Sequence, residues 1–531
     1  MVLCCLQACP NALEVQAVSI KLPVVRFLLA VLVIGFCASL STASGSRLGP
    51  PPDRGDLAFG YQSLERLIAR LPNDPTIRER ANRCFDGLTR DFFIGQFDSA
   101  LAEIARLHGE LQRLNEVGQE ELQFLFGHRY VTTPRAIVTG ESANITLESV
   151  ELARMQLGFA PPTMIAVADG KRHEVPYADV LEFKLPSAMT EGHVTIIAKF
   201  NLIGEIEVAR VAVLDRSLDA LREGYETRIS ALVAKGAIEP VEASSLRARA
   251  ALLTEQIDRS KTAALIADLP RISNELNAAI SRAEQGKRPF DARGDTWRMY
   301  RVLGTELPVR QYVPEGEGPF PLVIAFHGAG ADENMFFDGY GGGALLRSAS
   351  GEAFIAVCPP TVAFGVSPNL LEAFIDELAK DLPIDRGRVG LMGHSLGGVT
   401  ASRLAVLKPE LLTGAVCIAG FADLPRGGSP APRRVFLGEL DPLFPLDSTT
   451  QTIEAARMRG EVIEVEKVAH EGHTLVVGKV VPQAVRWLLA RPARAIATTK
   501  PTASAPSTTP MKVDGPNPSV NVASPSSGPR K

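Results

Sequence analysis

At 531 residues the chain is too long for one ordinary hydrophobic core, so about two to four domains are expected, and a hydrophobic content of 46% supports a globular body. A formal net charge of −4 argues against strong electrostatic attraction to nucleic acid, and no nucleic-acid partner is expected. There is no phosphate-cradling glycine loop ending in Lys-Ser or Lys-Thr and no metal-like Cys/His spacing, so the expectation is no cofactor and no metal.

In chain order, the first feature is a leader. Residues 27–40 form an apolar run behind Lys21 and Arg26, with small residues at 41–45 after it. The run is shorter than the roughly 20 apolar residues a spanning helix needs. Residues 1–45 therefore read as a signal peptide and the protein as secreted or periplasmic, with an uncleaved membrane anchor as the alternative. The stretch before the run is an unusually long n-region, and Phe36 speaks against lipoprotein cleavage at Cys37. Four of the seven cysteines, Cys4, Cys5, Cys9 and Cys37, fall in the leader. Cys84, Cys358 and Cys417 remain, which is no disulfide framework; the last two read as small buried hydrophobes in apolar runs.

Residues 46–56 are rich in Gly and Pro and read as a linker. A helical segment follows over 57–130, where Leu64, Leu67, Ile68 and Leu71 share one face and Phe97, Leu101, Ile104 and Leu111 another. GQFDSALAEIARL resembles a tetratricopeptide unit, but no constant period supports an array, so helical hairpins are expected. Over 131–214 the period shifts toward two, with strand-like runs at 136–138, 164–167, 194–200 and 206–214, which suggests a small β-sandwich-like module. Helical spacing returns over 215–288, with Leu218, Leu221, Tyr225 and Leu232, then Ile272, Leu276 and Ile280. This pair is expected to pack on the first helical segment. A body at 293–490 precedes a Pro/Ser/Thr-rich tail, 491–531, that cannot bury a core.

The chemistry concentrates in 293–490. There, RVGLMGHSLGG places Ser395 in a Gly-x-Ser-x-Gly turn between an apolar run and a helix-like run. A serine at such a strained strand-to-helix turn needs small neighbours, and Gly393, Gly397 and Gly398 supply them. On its own the motif is also compatible with an ordinary glycine-rich loop. Its surroundings narrow the reading: PLVIAF runs into His327-Gly328-Ala329-Gly330, RRVFLGELDP brings Asp441 to a strand end, and His473 sits in a glycine-flanked loop after a further strand. A serine hydroxyl is a poor nucleophile unless a histidine takes its proton and a carboxylate orients that histidine. Ser395, His473 and Asp441 fit these roles, with the N–H groups of Leu396 and Ala329 as the expected oxyanion hole. His470 rivals His473 as base, and Asp423 and Asp447 rival Asp441. His394 reads as a spacer pointing away from the nucleophile and His327 as structural. Phe336, Phe337 and Tyr340 are read equally as lining an acyl pocket or packing the first helix of this body.

These motifs, with YRVLGTELPVRQYVPEGEGPFPLVIAFHGAGADEN, FLGELDPLFP and EGHTLVVG, resemble the secreted or periplasmic α/β-hydrolases of the esterase and polyhydroxybutyrate-depolymerase-like group, bordering on prolyl-oligopeptidase-type catalytic domains. The resemblance covers about residues 293–490. It implies an α/β class, doubly wound α/β-hydrolase sheet, preceded by helical segments enclosing the β module. It also implies a serine hydrolase cleaving a small-molecule or polymeric carboxylic ester, with association with the cell envelope. A serine peptidase on the same triad is the alternative, although the propeller expected of an oligopeptidase shows no blade repeats. A binding or scaffold protein with a vestigial hydrolase domain is the third reading. Because 293–490 holds every element acyl transfer needs, it is expected to fold and act alone.

Overall fold

Asp53 opens the fold by capping α1 (Arg54–Arg70). Its carboxylate accepts the N–H groups of Gly55 and Asp56 at 2.8 and 3.4 Å, and Asp56 accepts the Asp53 N–H at 2.8 Å. The helix thus begins inside the stretch read as a linker. The computed structural model describes residues 50–71, 74–152, 158–185, 192–290, 293–425 and 428–495. The expectations for the leader and for the tail beyond residue 495 lie outside these residues. Three further helices follow: α2 (Pro75–Ile94), capped by Asp74 and ended by Gly95 at φ 75°, then α3 (Phe97–Leu111) and α4 (Glu116–Phe126).

Eight strands come next: β1 (His128–Thr133), β2 (Ala136–Val138), β3 (Ala143–Glu151), β4 (Thr163–Ala168), β5 (Lys171–Pro176), β6 (Val180–Leu185), β7 (Gly192–Lys199) and β8 (Glu205–Leu214). They form one sheet of order β1-β3-β6 and another of order β2-β8-β7-β4-β5. Sequence periodicity misses β1, β3, β5 and β6; β1 and β5 bury none of their residues and so carry no apolar face to announce them. Ile145, Met164, Val194 and Val211 share one core with Leu64, Phe85, Leu101 and Ile104 of the helices. The first helical segment and the β module therefore bury their apolar faces against each other.

The second helical segment comprises α5 (Leu218–Ala234), α6 (Pro240–Ala250), α7 (Thr262–Leu265) and α8 (Leu269–Glu284). Contrary to expectation, it does not pack its apolar face on the first. Leu221, Tyr225, Ile229, Leu246, Ile272 and Ile280 cluster with Ala212 and Leu214 of β8, and Ser245 Oγ accepts the Met299 N–H at 2.8 Å. The link to the first segment is ionic, from Arg259 to Asp53 and Asp56. The leucine face is consumed by β8 and by the helices themselves, which leaves charge outside.

From residue 294 the chain builds an eight-stranded sheet from β9 (Gly294–Val302), β10 (Thr305–Val313), β11 (Phe320–Phe326), β12 (Ile355–Cys358), β13 (Ile384–His394), β14 (Gly414–Ile418), β15 (Arg433–Gly438) and β16 (Ile463–Val468). The helices are α9 (Ala344–Glu352), α10 (Thr361–Val366), α11 (Leu370–Leu378), α12 (Leu396–Leu407), α13 (Leu446–Met458) and α14 (Val476–Leu489). The order is β16-β15-β14-β13-β11-β12-β10-β9, parallel from β12 to β16 and antiparallel at β9 and β10. Alternation along β11 divides two cores: Leu322, Ile324 and Phe326 face one helical layer, Val323 and Ala325 the other. Phe336, Phe337 and Tyr340 are buried in the second core, so they pack the body and do not line a pocket. This is the doubly wound α/β sheet expected from the sequence.

β11 lies between β12 and β13, so the winding reverses after it. In such sheets the crevice at the strand C-termini of the reversal is where ligands bind. The loop after β11 carries His327–Gly330, and the turn after β13 carries Ser395. The described residues from 50 through 494 fall in one compact unit.

Candidate active site

Ser395 sits between β13 and α12 at φ 54° and ψ −117°, a backbone region that costs a non-glycine residue strain and is found mainly where geometry demands it. Neighbouring glycines make the turn sterically feasible. A Cβ on Gly393 would lie 2.1 Å from the Gly397 oxygen, and one on Gly397 would lie 1.9 Å from the Phe326 oxygen. The second contact also sets the turn directly beneath the loop that follows β11. Ser395 N donates to the Ile418 oxygen at 3.0 Å, which ties the turn to β14. Leu396 begins α12, where helix N–H groups have no intrahelical acceptor. Among the described residues, neither its N–H nor that of Ala329 meets a protein acceptor. Both donors are thus left unpaired, one in the Ser395 turn and one in the loop after β11.

His473 and Asp441 are brought together. Both are buried, and His473 Nδ1 lies 3.1 and 3.0 Å from the two Asp441 oxygens. Asp441 Oδ1 also accepts the N–H groups of Leu443 and Phe444 at 2.8 and 2.9 Å, which fixes the carboxylate. The Phe444 ring stacks parallel to the imidazole at 5.9 Å between centroids. Gly438 permits this approach, since a Cβ there would lie 2.5 Å from the Gly472 oxygen. The rivals are placed elsewhere: His470 Nδ1 lies 2.7 Å from Glu79, Asp423 pairs with Arg459, and Asp447 is exposed in the first turn of α13. Ser395 Oγ makes no hydrogen bond among the described residues; a serine–histidine bond is often long before substrate binds and tightens in the complex.

His394 is not a spacer pointing away. The Tyr340 hydroxyl accepts the Gly328 N–H at 3.3 Å and donates to His394 Nδ1 at 2.6 Å, leaving His394 Nε2 to donate to the His473 carbonyl at 2.9 Å. Burial holds the His394 ring far below the usual histidine range, with the neighbouring His473 acting in the same direction, so it stays neutral. The chain of bonds connects the loop after β11, the Ser395 turn and the loop that carries His473. His327 is structural: its carbonyl accepts from Thr361 Oγ1 at 2.9 Å.

The base loop, residues 470–474, is also held from outside the sheet. Arg78, Asn82, Asp86 and Thr89 lie along one face of α2 and meet the loop in order. Arg78 donates to Glu471 at 2.8 and 2.6 Å, Asn82 to the His470 carbonyl and to Glu471 at 2.9 Å each, Asp86 accepts the His473 N–H at 3.0 Å, and Thr89 Oγ1 lies 3.3 Å from Thr474 Oγ1. At the oxyanion loop, the Gly330 carbonyl accepts from Arg54, and a Cβ on Gly330 would lie 2.8 Å from Phe92. Sequence reading missed these residues. The only signal is a polar stripe at helical spacing in α2, which looks like a solvated face until the fold shows what covers it. Among the described residues no cluster fit to hold a metal occurs.

Residues 322–512 match the model of the alpha/beta hydrolase family. The putative esterase NocK of Nocardia uniformis subsp. tsuyamanensis is 29% identical over 167 residues, 28% of this chain and 47% of that protein. The 2,6-dihydropseudooxynicotine hydrolase of Paenarthrobacter nicotinovorans is 33% identical over 133 residues, 23% of this chain and 34% of that protein. The chain thus matches less than half the length of each of these relatives. A solved S-formylglutathione hydrolase, FrmB of Staphylococcus aureus, aligns at 14% identity over 37% of this chain and 98% of its own with a TM-score of 0.33, too distant to carry weight. The family match and the observed sheet agree: the body from β9 to α14 has the α/β-hydrolase fold.

Proposed function

We propose that the protein is a secreted or periplasmic serine hydrolase that cleaves carboxylic esters through an acyl-enzyme on Ser395. The observation that carries this reading is the buried Asp441–His473 pair, 3.0 Å apart, bonded through the His473 carbonyl to His394, the residue next to the strained Ser395. With Nδ1–H held by Asp441, His473 Nε2 is left as the proton acceptor. Ser395 Oγ loses its proton to Nε2 and attacks the ester carbonyl carbon. The resulting oxyanion is met by the Leu396 and Ala329 N–H groups. The intermediate collapses as the imidazolium gives its proton to the departing alcohol. Water, deprotonated by His473, then hydrolyses the acyl-serine, and no cofactor is required.

Relatives named as an esterase and a hydrolase support the ester reading. Secretion rests on the apolar run at 27–40 and is tested by N-terminal sequencing of exported protein. For the activity, purified full chain is assayed side by side on short-chain nitrophenyl esters, feruloyl esters and aminoacyl amides. Ester turnover that disappears in Ser395→Ala is expected; turnover of amides alone would replace the esterase reading with a peptidase.

A further inference from the structure

α2 lies outside the α/β sheet, yet it presents a carboxylate to the base. Asp86 is half-buried, its Oδ1 accepts the His473 N–H at 3.0 Å, and its Oδ2 lies 2.4 Å from where a Gly472 Cβ would stand. Gly472 is thus required for the helix to reach this close. The surrounding contacts leave the loop little freedom, since Arg78 and Asn82 hold the preceding turn and Thr89 the following residue.

We propose that Asp86 is a positioning residue for the base: it fixes the His473 backbone and adds a second negative charge, beside Asp441, that supports the imidazolium formed during acyl transfer. This rests on the assignment of Ser395, His473 and Asp441 above. It makes the first helical segment part of the active site rather than an accessory to it.

Asp86 carries its negative charge only above the pH at which its own carboxyl ionises. Burial pushes the Asp86 carboxyl up to about 6, opposed by its hydrogen bond to and attraction for His473 and reinforced by Asp441. Charged or titratable groups on the neighbouring elements are Arg78 from α2, Glu471 two residues before the base, Lys479 from α14, which lies 3.1 Å from Glu471, Glu65 from α1, which interacts with Arg78 and Glu471, and His394 from β13 against the His473 carbonyl. Arg78 and Lys479 are both engaged by Glu471. Asp441 meets the His473 imidazole directly, and Asp86 meets its backbone N–H.

A loop cap and a charge partner are separable. Asp86→Asn keeps an oxygen that accepts the His473 N–H and removes the charge; Asp86→Ser does the same with a hydroxyl if the amide perturbs folding; Asp86→Ala removes both. In full-length protein with 13Cε1-labelled histidines, the His473 resonance is assigned with His473→Gln and titrated by NMR, and the pH profile of kcat/KM is measured alongside. Removing a nearby negative charge disfavours the imidazolium, so Asp86→Asn is expected to lower the His473 pKa by about half a unit or more and to move the acid limb of kcat/KM down equally, with KM changed less than about threefold. Asp86→Ala is expected to lower kcat by about tenfold or more. An unshifted His473 titration in the charge-free variants, with kcat of Asp86→Ala within about twofold of wild type, overturns the proposal. Because the titration is read without substrate, a shifted His473 in a protein that cleaves no ester would sink the esterase reading and leave Asp86 in place. Ester turnover lost in Ser395→Ala beside an unshifted His473 would do the reverse.

Discussion

Arg78 and Glu471 are joined by two hydrogen bonds of 2.8 and 2.6 Å, with the carboxylate fully buried two residues before the base. Removing one partner of a buried pair strands the other, at a typical cost of about 3–5 kcal/mol. Lys479 and Asn82 stay on Glu471, so Arg78→Met is expected to cost about 3 kcal/mol. Urea unfolding checks the value. The same contact revises the expectation that 293–490 acts alone. That fragment loses Arg78, Asn82, Asp86 and Thr89 together and exposes the face α2 covers, so it is expected to be inactive or insoluble where a 50–495 fragment is active. A soluble 293–490 fragment with full activity on small esters would restore the original boundary.

Tyr340 offers a second test, because its hydroxyl serves the Gly328 N–H and His394 Nδ1 at once. Tyr340→Phe leaves both buried groups without their partner, a loss of about 1–3 kcal/mol in stability. Activity on a soluble ester is expected to fall about tenfold, since the oxyanion loop and the His473 carbonyl lose a shared support. Thermal unfolding and steady-state kinetics read the two effects separately; unchanged kcat would mean that the bond chain is structural only.

Glu65 gives a pH dependence outside the catalytic groups. It is buried in α1 beneath Tyr340, and burial, opposed chiefly by the hydrogen bond from Tyr61, raises its carboxyl from 4.5 to about 7. A group with a raised folded-state pKa binds more protons folded than unfolded between those values. Its contribution to stability is therefore present below the unfolded value and lost as pH rises toward 7. The loss is about 3 kcal/mol. Glu65→Gln should flatten the fall in Tm between pH 5 and 8; equal slopes for variant and wild type would place the charge elsewhere.

The rivals for the base separate by single substitutions. His473→Ala and Asp441→Asn are each expected to lower kcat by about three orders of magnitude or more, the second because an amide favours the wrong imidazole tautomer. His470→Ala removes only a contact with Glu79 and is expected to retain activity within about tenfold. Kinetics on one nitrophenyl ester suffice, and the reverse order would move the base to His470.

What sequence could show depended on how local the signal was. The α/β class was legible because β11 and the second half of β13 are apolar runs followed at once by glycine-rich turns, a pattern written within single segments. Asp441 and His473 could be nominated because each follows a strand-like run, but their 3.0 Å approach depends on Gly438 and Gly472, which meet across the fold. The stripe Arg78, Asn82, Asp86 and Thr89 was invisible because a polar helix face looks the same whether water or a buried loop covers it. The second helical segment was misplaced for a related reason: Leu221 and Ile272 announce a buried face without naming its partner, which proved to be β8. Tyr340 and His394, far apart in sequence, gave no sign of their bond.

The central claim is that Ser395 is the nucleophile, activated by His473. Full-length protein is treated with a fluorophosphonate and its tryptic peptides are analysed by mass spectrometry, in parallel with Ser395→Ala and His473→Ala. One adduct on the peptide carrying Ser395 is expected, absent in Ser395→Ala together with ester turnover and formed much more slowly in His473→Ala. An adduct on a different serine, with ester turnover retained by Ser395→Ala, would contradict it.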